Sequence, residues 1–382
     1  MKLSSRRCST ASFSLEETSL LKYHYHMKIL FISHTYPPIT GGIETQNYEL
    51  SVWLRKQTNL KLIANRKRWL LPFFLIYAPL VALFSAKKYD LVLLGSCLLG
   101  HVGWIVKKFA KKPAVAIAHG LDLTWKNPLY QKLWIGIFIP AHDKLIAVGN
   151  ETIRQGVARG IPENKFVFIP NGVDTEKNLG GYSRNDLKKL LGINLENKKL
   201  LLTSGRLVKR KGVAWFIENV LPKLPENILY IVAGEGIDKP NILKAIEKTD
   251  AQKKVLVLGY VTDEQRNILF NTCDVFVQPN IKVENDMEGF GISVIEAAAC
   301  RMPVIASRLE GLQDAIKDSR NGFLIEPYDI SGYATKINEF LSDDGKRKTF
   351  GEQARRYVIE NYAWEIISKK YVEEMKKVLD KK

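Results

Sequence analysis

At 382 residues the chain is too long for one ordinary core, and a prior of about 100 to 200 residues per domain predicts two. With 46% hydrophobic and 25% charged residues it has the make-up of a folded soluble protein, and its four scattered cysteines form no C-x-x-C pair, which argues for a reducing compartment and against a zinc site. The net charge of +17 is concentrated in residues 1–172, with 23 Lys and Arg against 9 Asp and Glu; no recognition helix, RNP-like aromatic pattern or zinc module accompanies it, which argues against nucleic acid and leaves an anionic membrane or an anionic substrate.

Residues 1–26 are polar and rich in Ser and Thr, and Arg6 and Arg7 lead no apolar core long enough for a secretory signal. They read as an extension outside the fold, with Met27 a natural first residue before a hydrophobic strand. Strands are predicted at 28–33, 61–64, 90–95, 114–118, 144–148 and 165–169, alternating with helical stretches, the pattern of a parallel sheet covered on both faces. After the first strand, Pro37 and Pro38 lead to Gly41 and Gly42, which feed a helix over 45–54 whose free N–H groups offer an anion site. This is not a G-x-G-x-x-G fingerprint, which weakens a dinucleotide-dependent oxidoreductase.

From 69 to 86 there is no charged side chain over 18 residues, while Arg66, Lys67 and Arg68 precede the run and Lys87 and Lys88 follow it. Its length is borderline for a membrane span, and Pro72 and Pro79 are expected to interrupt it. Two readings remain open: a helix buried between the sheet and a neighbour, or an interfacial element whose apolar face dips into a bilayer while its basic flanks meet anionic headgroups. His119 ends the strand 114–118 and is followed by Gly120 and Asp122, so it faces the ligand side of a parallel sheet, with Asp122 a candidate cap of the next turn.

Ile169 to Asp174, with its Asn-Gly turn, reads as the junction to a second unit, whose strands are predicted at 199–203, 229–233, 255–258, 275–278, 303–306 and 322–325, with a closing helix at 364–379. Two segments there carry chemistry. Ser204 to Gly212 is a basic loop at a strand end, in which Arg206 offers a planar fork for phosphate oxygens and Lys211 a compact charge. Glu288-Gly289-Phe290-Gly291 then turns into a helix at Ile292, with Glu296 expected two turns inside it. The glycines let backbone approach a ligand, the free N–H groups suit a diphosphate, and the two carboxylates can accept from sugar hydroxyls on either side.

Together these motifs resemble the retaining glycosyltransferases of family four, group 1, over about residues 27–379, with the strongest likeness at 199–327. The resemblance implies the α/β GT-B fold, two Rossmann-like doubly wound domains facing a central cleft: residues 27–171 on the acceptor side, 172–361 binding a nucleotide sugar, and a helix in 362–382 crossing back. It implies His119, Arg206, Lys211 and Glu288 as catalytic residues, with Glu288 orienting the transferred sugar rather than acting as a nucleophile. Gly41, Gly42, Gly205, Tyr260, Gly289, Phe290, Gly291, Ile292 and Glu296 would bind the donor, Glu296 at the ribose and Tyr260 at the base. The donor is a UDP- or GDP-linked glucose or mannose type of sugar. No cofactor or metal is implied, and no Asp-x-Asp stands at a strand end. The basic first half suggests a lipid-linked or cell-surface glycan acceptor, peripheral contact with an anionic membrane and a place at the cytoplasmic face. Rival readings are another GT-B enzyme, such as a sugar-nucleotide epimerase, and a membrane-associated scaffold without chemistry.

Overall fold

The computed structural model describes residues 27–176, 180–284 and 286–381; the reading of 1–26 as an extension lies outside the described residues. Two six-stranded sheets, parallel throughout, organise the chain. The first contains β1 (Lys28–Ser33), β2 (Asn59–Ala64), β3 (Leu91–Leu94), β4 (Ala114–Ala118), β5 (Lys144–Ala147) and β6 (Phe166–Phe168), in the order β2-β1-β3-β4-β5-β6. The second contains β7 (Lys199–Ser204), β8 (Ile228–Ala233), β9 (Val255–Gly259), β10 (Val275–Gln278), β11 (Val304–Ser307) and β12 (Phe323–Ile325), in the order β12-β11-β10-β7-β8-β9. Strands such as β3, β4 and β8 are buried at every residue, which is why they read as unbroken apolar runs.

Each order reverses once, between β1 and β3 in the first sheet and between β7 and β10 in the second. Loops leaving neighbouring strands at such a reversal diverge to opposite faces and open a crevice at the carboxyl ends. Five helices flank this crevice or tie the sheets together: α1 (Gly42–Arg55), α2 (Leu71–Ser85), α3 (Val213–Asn219), α4 (Ile292–Ala299) and α5 (Trp364–Asp380).

The chain passes between the two sheets at 171–174 and again at 362–364, and the two crossings touch. Val173 N–H donates to the Tyr362 carbonyl at 2.8 Å, Trp364 N–H donates to the Val173 carbonyl at 3.3 Å, and Val173 and Ala363 form a parallel bridge. From there α5 lies along α1, where Gln46 donates to the Tyr371 hydroxyl at 3.3 Å and Gln57 to Ser368 Oγ at 2.7 Å.

The apolar run after β2 forms one helix, and neither proline interrupts it. Pro72 stands in the first turn, where no intrahelical N–H bond is required. Pro79 removes the donor for the Leu75 carbonyl, and the His101 ring replaces it at 2.9 Å. Phe74, Ala78 and Ala82, spaced to share one face, pack into the core with Leu30, Ile32, Val92 and Leu94. The opposite face is open to solvent: Phe73 is 65% exposed, Ile76 70%, Leu80 55% and Phe84 79%. The Arg68–Lys88 segment is long and apolar enough to cross a membrane, but the packed stripe makes it part of the first domain. The buried reading thus describes the inner face, and the outer face is an exposed apolar surface.

Candidate active site

The second sheet builds a buried charge cluster at its reversal. Beyond β7 the chain turns through Lys209–Lys211 and carries Lys211 inward, its Nζ 2.6 Å from Glu288 Oε2, with both residues only 8% exposed. The Arg210 guanidinium lies 3.8 Å from the same oxygen, Asn280 Nδ2 donates to it at 3.2 Å, and Gln278, the last residue of β10, reaches it at 3.5 Å. Burial alone would raise the Glu288 carboxyl, but the charges of Lys211 and Arg210 outweigh it and hold the group at about 2, so it is ionised at neutral pH. The Glu288 N–H donates to Glu310 Oε2 at 2.6 Å, and the Glu288 carbonyl accepts from Gly311 N–H at 3.0 Å. Burial, with the charges of Glu288 and Glu151 adding to it, pushes Glu310 up to about 7.

The turn after Glu288 meets the first domain. A Cβ on Gly289 would stand 2.6 Å from the His119 carbonyl oxygen, so only glycine permits this approach. Gly291 takes a left-handed φ of 88° and starts α4, leaving the first N–H groups of that helix unshared. The Phe290 ring is buried edge-on to Tyr362 at 5.9 Å, so only its backbone is free to serve a ligand. Glu296 lies one turn inside α4 rather than two, because the helix begins at Ile292.

On the facing wall, the His119 ring nitrogen Nε2 is 3.0 Å from the Gly95 carbonyl. Burial lowers its basicity, with Asp122 and the Gly95 bond opposing, and a carbonyl partner fixes the proton on Nε2. Nδ1 is then an acceptor suited to a hydroxyl. Asp122 does more than cap a turn: its carboxylate accepts from the N–H groups of His119, Gly120 and Cys97 and from the Ser96 hydroxyl, tying the loops after β3 and β4 together. Burial, followed by the nearby His119, holds His34 down at about 4, and its Nδ1 is buried without a protein partner. The Gly41-Gly42 turn lies opposite the second domain: a Cβ on Gly41 would be 3.5 Å from the Arg206 guanidinium, and one on Gly42 would be 3.7 Å from Ile292 Cδ1.

Between these walls lies a cleft of about 890 Å³. That volume is within the range of about 300 to 1,000 Å³ found for small-molecule sites. Of the residues singled out in the sequence, Gly41, Gly205, Arg206 and Tyr260 line it, with Tyr260 exposed at the rim. Arg206 is exposed there, and among the described residues no carboxylate pairs with it. Gly42, beside Ile292, and Gly289, beside the His119 carbonyl, stand where the two walls touch, with Phe290 and Gly291 following in the same turn, whereas His119, Lys211 and Glu288 do not line the cleft itself. Ile292 and Glu296 instead line a neighbouring recess of about 30 Å³, with Arg266 and Trp364. Among the described residues no group of three or more His, Cys, Asp and Glu side chains is placed to hold a metal ion.

Several participants were not singled out in the sequence. Gly234 and Gly236 follow β8 and line the cleft; a G-x-G after an apolar run was a visible signal. Arg210, Gln278, Asn280 and Glu310 hold Glu288, and Gln278-Pro279-Asn280 at a strand end was the only local sign of them.

Comparison with known proteins agrees with this architecture. The profile of the family described as Glycosyl transferases group 1 matches residues 185–357, and that of Glycosyltransferase Family 4 matches residues 57–177. The chain belongs to these GT-B glycosyltransferases and is a transferase enzyme. It is 29% identical over 296 residues to the UDP-Gal:alpha-D-GlcNAc-diphosphoundecaprenol alpha-1,3-galactosyltransferase of Escherichia coli, covering 74% of each chain. It is 22% identical to the GDP-mannose-dependent alpha-(1-6)-phosphatidylinositol monomannoside mannosyltransferase of Mycolicibacterium smegmatis, covering 88% of this chain and 95% of that one. The solved structure of Anabaena Alr3699/HepE in complex with UDP and glucose superposes with a TM-score of 0.75 at 20% identity, covering 92% of this chain and all of that one, a likeness of fold.

Proposed function

We propose that the protein transfers a sugar of the glucose or mannose type from a UDP- or GDP-linked donor to a lipid-linked or cell-surface glycan acceptor, with retention at the anomeric carbon and without a metal or cofactor. The observation that carries this reading is the cleft where both sheets reverse, with unpaired Arg206 facing the Gly41-Gly42 turn and the α4 N-terminus beside it. Relatives named for UDP-galactose and for GDP-mannose leave both nucleotides open, and their acceptors are lipid-linked. In this reading residues 172–361 hold the donor, 27–171 face the acceptor, and the helix in 362–382 ties them together.

The bond from the anomeric carbon to the diphosphate breaks with its electron pair on the leaving oxygen. The acceptor oxygen bonds the same face of that carbon, and its proton passes to the departing diphosphate. Arg206 and the free N–H groups of α4 stabilise the charge that develops there. Lys211 gives one of its three N–H bonds to Glu288, and the others remain for phosphate. Glu288 Oε2 already accepts from Lys211 and Asn280, an arrangement that suits orienting sugar hydroxyls better than nucleophilic attack. His119 Nδ1 accepts from a hydroxyl of the same sugar. Glu296, beside Arg266, is assigned to the ribose, and Tyr260 at the rim to the base. The exposed face of α2 and its basic flanks support peripheral contact with an anionic membrane at the cytoplasmic face.

The test is a thermal-shift and hydrolysis screen against UDP- and GDP-sugars with Arg206→Ala, Lys211→Ala and Glu288→Ala as controls. Stabilisation by one nucleotide sugar, with slow hydrolysis falling roughly 100- to 1,000-fold in Arg206→Ala, is expected. Absence of any response across the screen would favour the scaffold reading.

A further inference from the structure

Where α2 begins, the apolar surface and the cleft meet. Arg68 and Leu71 line the cleft, Trp69 between them is exposed, and the open face of Phe73, Ile76, Leu80 and Phe84 continues from that point. The cations there are uncompensated: among the described residues Arg66, Lys67 and Arg68 pair with no carboxylate. The Arg68 guanidinium donates only to the Thr40 carbonyl at 3.2 Å, and Arg66 lies over the Tyr36 ring. His34, whose buried Nδ1 has no protein partner, lines the same wall.

A fork of N–H donors at the edge of a reaction cleft, continuous with an exposed apolar slab, is the complement of an amphiphile with an anionic head. We propose that the acceptor is a phosphate-bearing long-chain lipid whose phosphate is held by Arg68 at the cleft edge while its chain lies along the exposed face of α2. The proposal rests on the glycosyl-transfer reading and names its acceptor class. The donor phosphates occupy the opposite wall at Arg206, so the two anionic groups approach from different domains and the acceptor hydroxyl or phosphate oxygen points toward the donor sugar between them.

The proposal is tested by calorimetric titration of the full chain with geranyl phosphate, a soluble prenyl phosphate, in saturating UDP or GDP so that the donor site is filled. Geranyl phosphate is expected to bind, and Arg68→Ala to weaken it roughly 10- to 100-fold, the worth of a charge-assisted hydrogen bond. Lys87→Ala, at the far end of α2, is expected to leave that affinity unchanged. Inorganic phosphate binding as tightly as geranyl phosphate would overturn the lipid part by showing a site that reads phosphate alone. Equal loss in Arg68→Ala and Lys87→Ala would overturn the site by reducing it to general charge attraction. If a nucleotide sugar is hydrolysed but geranyl phosphate does not bind, the acceptor proposal fails while the enzyme reading stands; a chain inert to every nucleotide sugar fails the enzyme reading instead.

Discussion

Glu288 is stable as a buried charge only because Lys211, Arg210 and Asn280 surround one of its oxygens. Removing one partner of a buried pair leaves the other uncompensated, at a cost of about 3 to 5 kcal/mol. Lys211→Met should therefore lower the melting temperature more than the double variant Lys211→Met/Glu288→Gln, in which no lone charge remains. A larger drop in the double variant would contradict the pairing. Glu310 makes a second prediction. Its folded carboxyl titrates near 7, above the free value of about 4.3, so the folded state binds the proton more tightly and loses stability as pH rises between those values. The charged groups facing it are Glu288, Glu151 and Arg210. Glu310→Gln should flatten the fall in melting temperature over that window and keep the Glu288 N–H bond through its amide oxygen. An unchanged pH profile would show that Glu310 does not titrate there.

Helix α2 has one face packed in the core and one apolar face left exposed. On its inner stripe Phe74 is worth about 1.5 to 3 kcal/mol to the domain and the methyl groups of Ala78 and Ala82 about 0.8 kcal/mol each, and the outer face adds nothing in water. Phe73→Ser/Ile76→Ser/Phe84→Ser should thus leave folding and nucleotide-sugar hydrolysis intact while abolishing flotation with phosphatidylglycerol vesicles. Retained flotation would detach the helix from the membrane reading. This element also marks where the sequence was legible. All twelve strands among the described residues were readable, with ends within a residue or two of prediction, most of them because buried parallel strands are continuous apolar runs. Pro79 was misread as a break because the donor that replaces it, His101, lies on a different helical segment. Lys211 and Glu288 were each noticed, but as separate tools; that they neutralise one another depends on β7 lying beside β10, an order that no run of residues records. Gly234 and Gly236 did carry a local G-x-G signal, and its meaning comes from β8 ending at the cleft.

At the scale of the molecule, the two domains are joined by two adjacent strands of chain, so rotation about that pair is the simplest motion available for opening and closing the cleft. Gly172 sits at this axis, where a Cβ would run into the Trp364 ring. Gly172→Ala should loosen the seat of α5 and cost about 1 to 3 kcal/mol, read as a lower melting temperature with faster proteolysis after residue 361. An unaffected melt would show that Trp364 can step aside.

The return of α5 onto α1 also sets an order in time. Trp364, Ile367, Tyr371, Val372 and Met375 share one core with Ile29, Phe31, Leu50 and Leu54, so the domain made first is finished by residues made only after the second sheet. While the second domain is being synthesised, α1 must wait with an apolar flank uncovered, and a chain that stops before residue 364 would leave the first domain unfinished although both sheets were made.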